Sequence, residues 1–454
     1  MSLQIHFLGG ASTVTGSKYC VEHAGKRLLV DCGLFQGYKP LRLRNWNPMP
    51  TPAKDIDAVV LTHAHLDHSG YVPLLVRQGF KGRVHATVGT RDLCGILLPD
   101  SGHIQEEDAF FANKHGFSKH QPALPLYTKS DALQSMRSFH VEKWGHVFEP
   151  IRGWRAQFSA AGHILGASSL LLEVAGRRVL FSGDLGRPDD SLMNPPEPPP
   201  QADTVLIEST YGDRSHPQDN LNDELGAALK KVAARGGVAV VPVFAVGRAQ
   251  AVLHSIAQLK AKGDIPHGLP IFLDSPMAIH TTALFEKHMD EHRLTAQEVQ
   301  AMDHSATMVE TPEQSKALIK RHGPMVILAA SGMATGGRVL HHLANHVGNH
   351  RNMVILTGYQ SPGTRGATLA SGAPTIRMHG KDLPVQAEIV QLSSASAHAD
   401  GNQLLDWLRK MPQPASQVYV VHGEIQAADT LRQRLERELH LRAVVPEHDS
   451  VWPA

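Results

Sequence analysis

Three histidines and one aspartate fall within six positions in the stretch Leu61-Thr62-His63-Ala64-His65-Leu66-Asp67-His68-Ser69-Gly70. Imidazole and carboxylate are the side chains that hold borderline divalent metals such as zinc. The chain has 29 histidines, so His-rich windows are common in it. Chance does not account for the order H-x-H-x-D-H set directly after a short apolar run. Ala58-Val59-Val60-Leu61 reads as a buried strand. Tyr71, Leu74, Leu75 and Gly79 fit a helix with Pro73 in its first turn. The cluster is therefore expected on a strand-to-helix loop, where α/β folds place their chemistry.

Other elements repeat the pattern of a strand ending on a chemically active residue. The run Leu28-Leu29-Val30 ends on Asp31-Cys32-Gly33. His163 stands among small residues in Ala160-Ala161-Gly162-His163-Ile164-Leu165-Gly166. Val179-Leu180-Phe181 leads to Ser182-Gly183-Asp184, and Val205-Leu206-Ile207 leads to Glu208. Near the C-terminus, His398 follows the strand Ala387–Leu392, and His422 ends the strand that begins at Gln417. Taken singly, each acid is an ordinary turn former.

From about residue 210, strands alternate with helices, which implies a mostly parallel sheet. The loop Ala330–Arg338 leaves a strand and enters a helix. Such a loop presents N–H groups to an anion, and makes Ser331, Gly332 and Met333 candidates for holding a phosphate. Residues 110–143 read as helical and polar, interrupted by Pro122 and Pro125, with no chemistry assigned.

A length of 454 residues suggests two or three domains. Hydrophobic content of 42% with 19% charged residues is an ordinary globular mix. Cys20, Cys32 and Cys94 are odd in number and lack zinc-ribbon spacing, so a reducing, cytoplasmic setting is expected. The N-terminus reads as a first strand and not a signal peptide, and no stretch is long and apolar enough for a membrane span. The formal net charge of +1 does not announce a nucleic-acid partner. Attraction for a polyanion has to be local.

In their order, Asp31, the His63–His68 cluster, His163, Asp184, Glu208, His398 and His422 resemble the motifs of the β-CASP nucleases of metallo-β-lactamase fold. Asp31, H-x-H-x-D-H, His163 and Asp184 match the four general motifs. Glu208, His398 and His422 match the three extra motifs of the β-CASP branch. Ala395 departs from the family, which has an aromatic residue there. The resemblance implies an α/β architecture: an αββα sandwich from residues 1–209 and 373–454, with an inserted, mostly parallel α/β β-CASP domain at 210–372. The chain looks like a bacterial or archaeal relative of the polyadenylation cleavage nuclease. RNA-acting members carry histidine at the position of His422, where DNA-acting relatives typically have valine, so single-stranded RNA is the implied substrate.

The resemblance further implies two zinc ions, with manganese as a substitute this ligand set tolerates. His63, His65 and His163 would hold one, Asp67, His68 and His422 the other, and Asp184 would bridge. Asp67 counts among the catalytic residues as well. His398 is the expected general acid, kept cationic and oriented by Glu208, and Asp31 is expected to accept from a ligand imidazole. The expected reaction is phosphodiester hydrolysis leaving 5′-phosphate and 3′-hydroxyl ends, endonucleolytic or from a 5′ end. The alternatives are a thioester or lactone hydrolase of the same fold, a DNA-acting nuclease, and a non-catalytic RNA-binding scaffold. A homodimer is compatible with the sequence, and a membrane partner is not expected.

Overall fold

In a computed structural model of the chain, residues 2–116, 118–216 and 220–454 are described. Two compact units emerge: residues 1–215 with 398–454, and residues 216–397.

The first unit is built on two seven-stranded sheets. One runs, in spatial order, Val451–Pro453, Gln4–Gly9, Lys18–His23, Lys26–Val30, Ala58–Val60, Arg83–Thr87 and Phe139–Glu142. Its first four strands are antiparallel, and the pairs from Lys26–Val30 onward are parallel. The other runs Ala443–Val444, Gln417–Val421, Thr204–Glu208, Arg177–Phe181, Ser168–Val174, Trp154–Ala160 and Val147–Ile151. There the first four are parallel and the rest antiparallel. Period-two alternation sends Phe7, Tyr19, Leu28, Val30 and Val60 of one sheet against Phe158, Leu170, Leu172, Phe181 and Leu206 of the other. Burying each such side chain contributes about 1.5–3 kcal/mol, which fixes the register of both sheets.

This topology positions the site. Strands Lys26–Val30, Ala58–Val60, Arg177–Phe181, Thr204–Glu208 and Gln417–Val421 all lie in parallel pairings. Their C-terminal ends deliver Asp31, the 61–70 loop, Asp184, Glu208 and His422.

The second unit holds a six-stranded, wholly parallel sheet in the order Thr307–Met308, Ile271–Leu273, Met325–Ala329, Val238–Pro242, Met353–Thr357, Glu388–Leu392. The sequence reading closed this domain at 372. Glu388–Leu392 pairs with Met353–Thr357, and the compact unit runs to residue 397. Among the described residues, no helix is long and apolar enough to cross a membrane. All three cysteines are free and buried.

Candidate metal centre and active site

The loop after Ala58–Val60 closes on itself. Ser69 donates its hydroxyl to the Ala64 carbonyl at 2.7 Å, and residues Leu66–Ser69 form one helical turn that carries Asp67 and His68. Gly33 packs on this turn so closely that a Cβ there would stand 1.6 Å from the Asp67 carbonyl oxygen. The His163 loop is tied down by Thr87 and Thr90, which donate to the Gly166 carbonyl at 2.7 and 3.0 Å. It touches the Asp184 loop through Gly186, where a Cβ would meet the Gly162 carbonyl oxygen at 1.9 Å. Any side chain at Gly33 or Gly186 forces ligand loops apart.

His65 Nδ1 lies 3.2 Å from both His63 Nε2 and His163 Nε2. Asp184 Oδ2 is 3.5 Å from His63 Nε2 and 3.7 Å from His163 Nε2. Its other oxygen, Oδ1, faces a second group, 3.2 Å from His68 Nε2 and 3.5 Å from His422 Nε2. Asp67 Oδ2 stands 4.0 Å from His422 Nε2. Four ligands held about 2.0–2.1 Å from a tetrahedral ion lie roughly 3.3 Å from each other, so both groups have the spacing of a metal site. His68 Nε2 and Asp184 Oδ1 are buried without a hydrogen-bond partner, although they face each other. A divalent cation would satisfy both.

The electrostatics of the ligands divide. Burial raises the Asp67 carboxyl to about 6. At His68 burial is outweighed by Asp184 and Asp31, which hold it well above the usual imidazole range. His63, His422 and Asp184 favour the metal-binding forms. Burial holds His63 well below the usual imidazole range and brings His422 down to about 3, the latter against the pull of Asp184. Neutral imidazole is the metal-binding form. Burial alone would raise Asp184, but His422, His68 and His63 outweigh it and hold the carboxyl well below its ordinary range. An ionised carboxylate only 2% exposed costs several kcal/mol unless cations or donors surround it.

The outer nitrogens of His63, His68 and His422 are also paired. Asp31 accepts from Thr62 N at 2.7 Å, from the Thr62 hydroxyl at 2.9 Å and from His68 Nδ1 at 2.8 Å. Thr62 gives its only hydroxyl hydrogen to Asp31, so toward His63 Nδ1, at 3.1 Å, it accepts. That leaves His63 Nε2 with its lone pair facing the cluster. Ser17 Oγ pairs with His422 Nδ1 at 2.8 Å. Sequence reasoning missed Thr62 and Ser17. Neither residue type announces this role, and Ser17 is 405 positions from His422. Outer-shell partners of this kind set metal affinity by factors of about 10–100. Ser17→Ala is therefore expected to weaken divalent-metal binding at the Asp67/His68/His422 group by roughly that factor. Competition with a chromophoric chelator reads this directly, and an unchanged affinity would refute the role.

A third group joins Asp184, Glu208 and His398. Fully buried Glu208 accepts from Leu185 N at 2.6 Å, and its oxygens lie 3.2 and 3.3 Å from His398 Nδ1. His398 is 17% exposed. Its Nδ1 faces the Glu208 carboxylate. The backbone holds the ring in place, through a bridge between Gly186 and His398 and a bond from Ala399 N to the Leu185 carbonyl at 2.8 Å.

The Ser331–Met333 loop lies in the second unit and is largely satisfied internally. Ser331 Oγ accepts from Thr335 N at 3.0 Å and Gly336 N at 3.4 Å, and Met333 is buried. Gln360 donates to the Gly332 carbonyl at 3.2 Å. The Thr335 and Gly336 N–H groups thus turn inward onto the serine.

Residues 14–236 match the model of the Metallo-beta-lactamase superfamily, 249–369 that of the Beta-Casp domain, and 382–446 that of the Zn-dependent metallo-hydrolase RNA specificity domain. Ribonuclease TTHA0252 of Thermus thermophilus is 37% identical over 426 residues, covering 92% of each chain. Transcription termination factor FttA of Methanosarcina mazei is 30% identical, over 97% of this chain and 70% of its own. An RNase J-like protein of Methanocaldococcus jannaschii is 28% identical over 99% of both. A solved Enterococcus faecalis protein of unknown function shares the fold at TM-score 0.53 and 13% identity, over the whole of both chains. With ligand groups of this geometry and relatives of this extent, the chain belongs to the metallo-β-lactamase superfamily, in its β-CASP branch of metal-dependent hydrolases.

Proposed function

We propose that the chain is a zinc-dependent ribonuclease that hydrolyses phosphodiester bonds of single-stranded RNA, leaving 5′-phosphate and 3′-hydroxyl ends. The observation that carries the reading is the Glu208–His398 pair beside the metal-ligand groups. A thioester, whose thiolate leaves readily, needs no such proton donor, whereas a ribose 3′-oxygen does. The relatives named a ribonuclease and an RNase J-like protein support RNA as the substrate.

Two zinc ions fit the ligand groups, one at His63, His65 and His163, the other at Asp67, His68 and His422, with Asp184 shared. Bound there, they supply a nucleophile from water at neutral pH and offset the charge gathering on the phosphoryl oxygens. Asp31, Thr62 and Ser17 keep the ligand rings turned inward with the required tautomers. Glu208 holds His398 by Nδ1, so that Nε2–H gives its proton to the departing 3′-oxygen as the phosphorus–oxygen bond breaks. The unit of residues 216–397 acts as the β-CASP domain, with the Ser331–Met333 loop as its candidate for holding a phosphate of the strand.

The test is a gel assay with 5′-labelled single-stranded RNA beside DNA of the same sequence, with and without chelator. Chelator-sensitive cleavage of RNA alone is expected. A ladder of internal bands identifies endonuclease action, and early release of a labelled mononucleotide identifies 5′ exonuclease action. Zinc-loaded protein that cuts neither strand, yet turns over a thioester or lactone, would sink the reading.

A further inference from the structure

The net charge gives no general attraction for a polyanion, yet one segment of the first unit concentrates cations. From Cys32 to Lys54 the chain carries Lys39, Arg42, Arg44 and Lys54 and no acid. Interleaved with them are Tyr38, Leu43 and Trp46, exposed by 52%, 50% and 56%. The short helix Lys39–Arg44 at the centre of this arm buries no residue, so core packing does not explain its composition. Three large apolar side chains exposed within nine positions are more than the singly scattered surface residues that need no explanation.

The arm is anchored on the catalytic loop. Cys32 N donates to the His68 carbonyl at 2.7 Å, and Leu34 N donates to the Leu66 carbonyl at 2.8 Å. Buried Asn45 closes its base, accepting from Phe35 N at 2.9 Å and donating to the Phe35 carbonyl at 2.8 Å. Arg44 lies over the Phe35 ring, 5.5 Å from its centroid. Tyr38 is four positions on from Leu34, so the first exposed aromatic stands at most about 14 Å from the residue that bonds to the ligand-bearing turn.

We propose that residues 36–50 form a docking arm for single-stranded RNA at the edge of the metal centre, with Trp46 and Tyr38 stacking bases while Lys39 and Arg42 hold the backbone. Aromatic faces set among cations are what sequence-tolerant binding of a single strand uses. The charge sign fits RNA, and the anchoring on the His63–His68 loop puts the arm beside the bond to be cut. The proposal rests on the ribonuclease reading and adds a site to it.

The test measures binding of zinc-loaded protein to a labelled, non-hydrolysable single-stranded RNA of about 20 nucleotides by fluorescence anisotropy, across a salt series. Trp46→Ala is expected to weaken binding about tenfold, the lower part of the range for losing one stacked base. Trp46→Phe, which keeps a ring, should restore most of it. The double variant Lys39→Ala/Arg42→Ala should flatten the plot of log affinity against log salt by about 1.4, the value for two lost phosphate contacts on a single strand. Melting curves matching the parent's exclude misfolding. If the parent cuts RNA and all three variants bind it as the parent does, the arm is overturned while the ribonuclease reading stands. If the parent neither binds nor cuts RNA, both fall. An arm whose loss abolishes binding to anionic vesicles and leaves RNA affinity intact also overturns the proposal.

Discussion

His398→Ala should lower kcat on RNA by about 10³-fold, within the range for loss of a positioned general acid, and leave the metal content unchanged. The ring is set for this role. Its Nδ1 lies 3.2 Å from Glu208 Oε2 and 3.9 Å from Asp184 Oδ2, so the buried carboxylates are gathered on one side of it. A role in proton donation and a role in metal binding are separated by the leaving group. A diester carrying p-nitrophenolate departs without a proton, so the variant should lose little on it while losing about 10³-fold on RNA. Metal analysis completes the test. Equal losses on the two substrates, or a drop in bound zinc, would make His398 a ligand and remove it as the acid.

The site was readable to the extent that its chemistry is local in sequence. H-x-H-x-D-H is compressed into six positions, and Asp31, Asp184, Glu208 and His422 follow apolar runs that read as strands. Their convergence was not readable from spacing. It depends on parallel strands delivering residues as distant as Asp31 and His422 to one end of the sandwich. Ser17 and Thr62 escaped because a hydroxyl acts here only through which ring nitrogen it faces, and that is a tertiary fact. Backbone reading failed for related reasons. Helix Val88–His115 contains Gly89, Gly95, Pro99 and Gly102, which hide it from propensity, and the Thr87 side chain caps its start by accepting from Thr90 N. Phe139–Glu142 lay in a region read as helical, but pairing with Arg83–Thr87 makes it an edge strand. That Glu388–Leu392 pairs with Met353–Thr357 was not readable either, because a strand does not announce which sheet it joins. The Ser331 loop has the glycine-rich composition of an anion cradle, and composition could not say that its N–H groups turn inward.

Asp184→Asn should be the more damaging change, and in a different way. One carboxylate presents Oδ2 to His63 and His163 and Oδ1 to His68 and His422. The amide keeps the volume, but it replaces one oxygen by an NH₂ group whose hydrogens point at one of the two ligand groups. Either orientation puts a donor where a cation has to sit, and the shared negative charge is lost in both. Bound zinc should therefore fall from two ions per chain to one or fewer. Because metal and not proton transfer fails, activity on RNA and on the p-nitrophenyl diester should fall together, on the order of 10⁴-fold, equivalent to about 5.4 kcal/mol. The pair of variants thus divides the centre in two. Loss on both substrates with loss of zinc marks Asp184 as the shared ligand, and loss on RNA alone with zinc retained marks His398 as the acid. An Asp184→Asn protein that keeps two zinc ions and cuts at near-parent rates would show that each metal group is complete without it, and the shared-carboxylate arrangement would have to be abandoned.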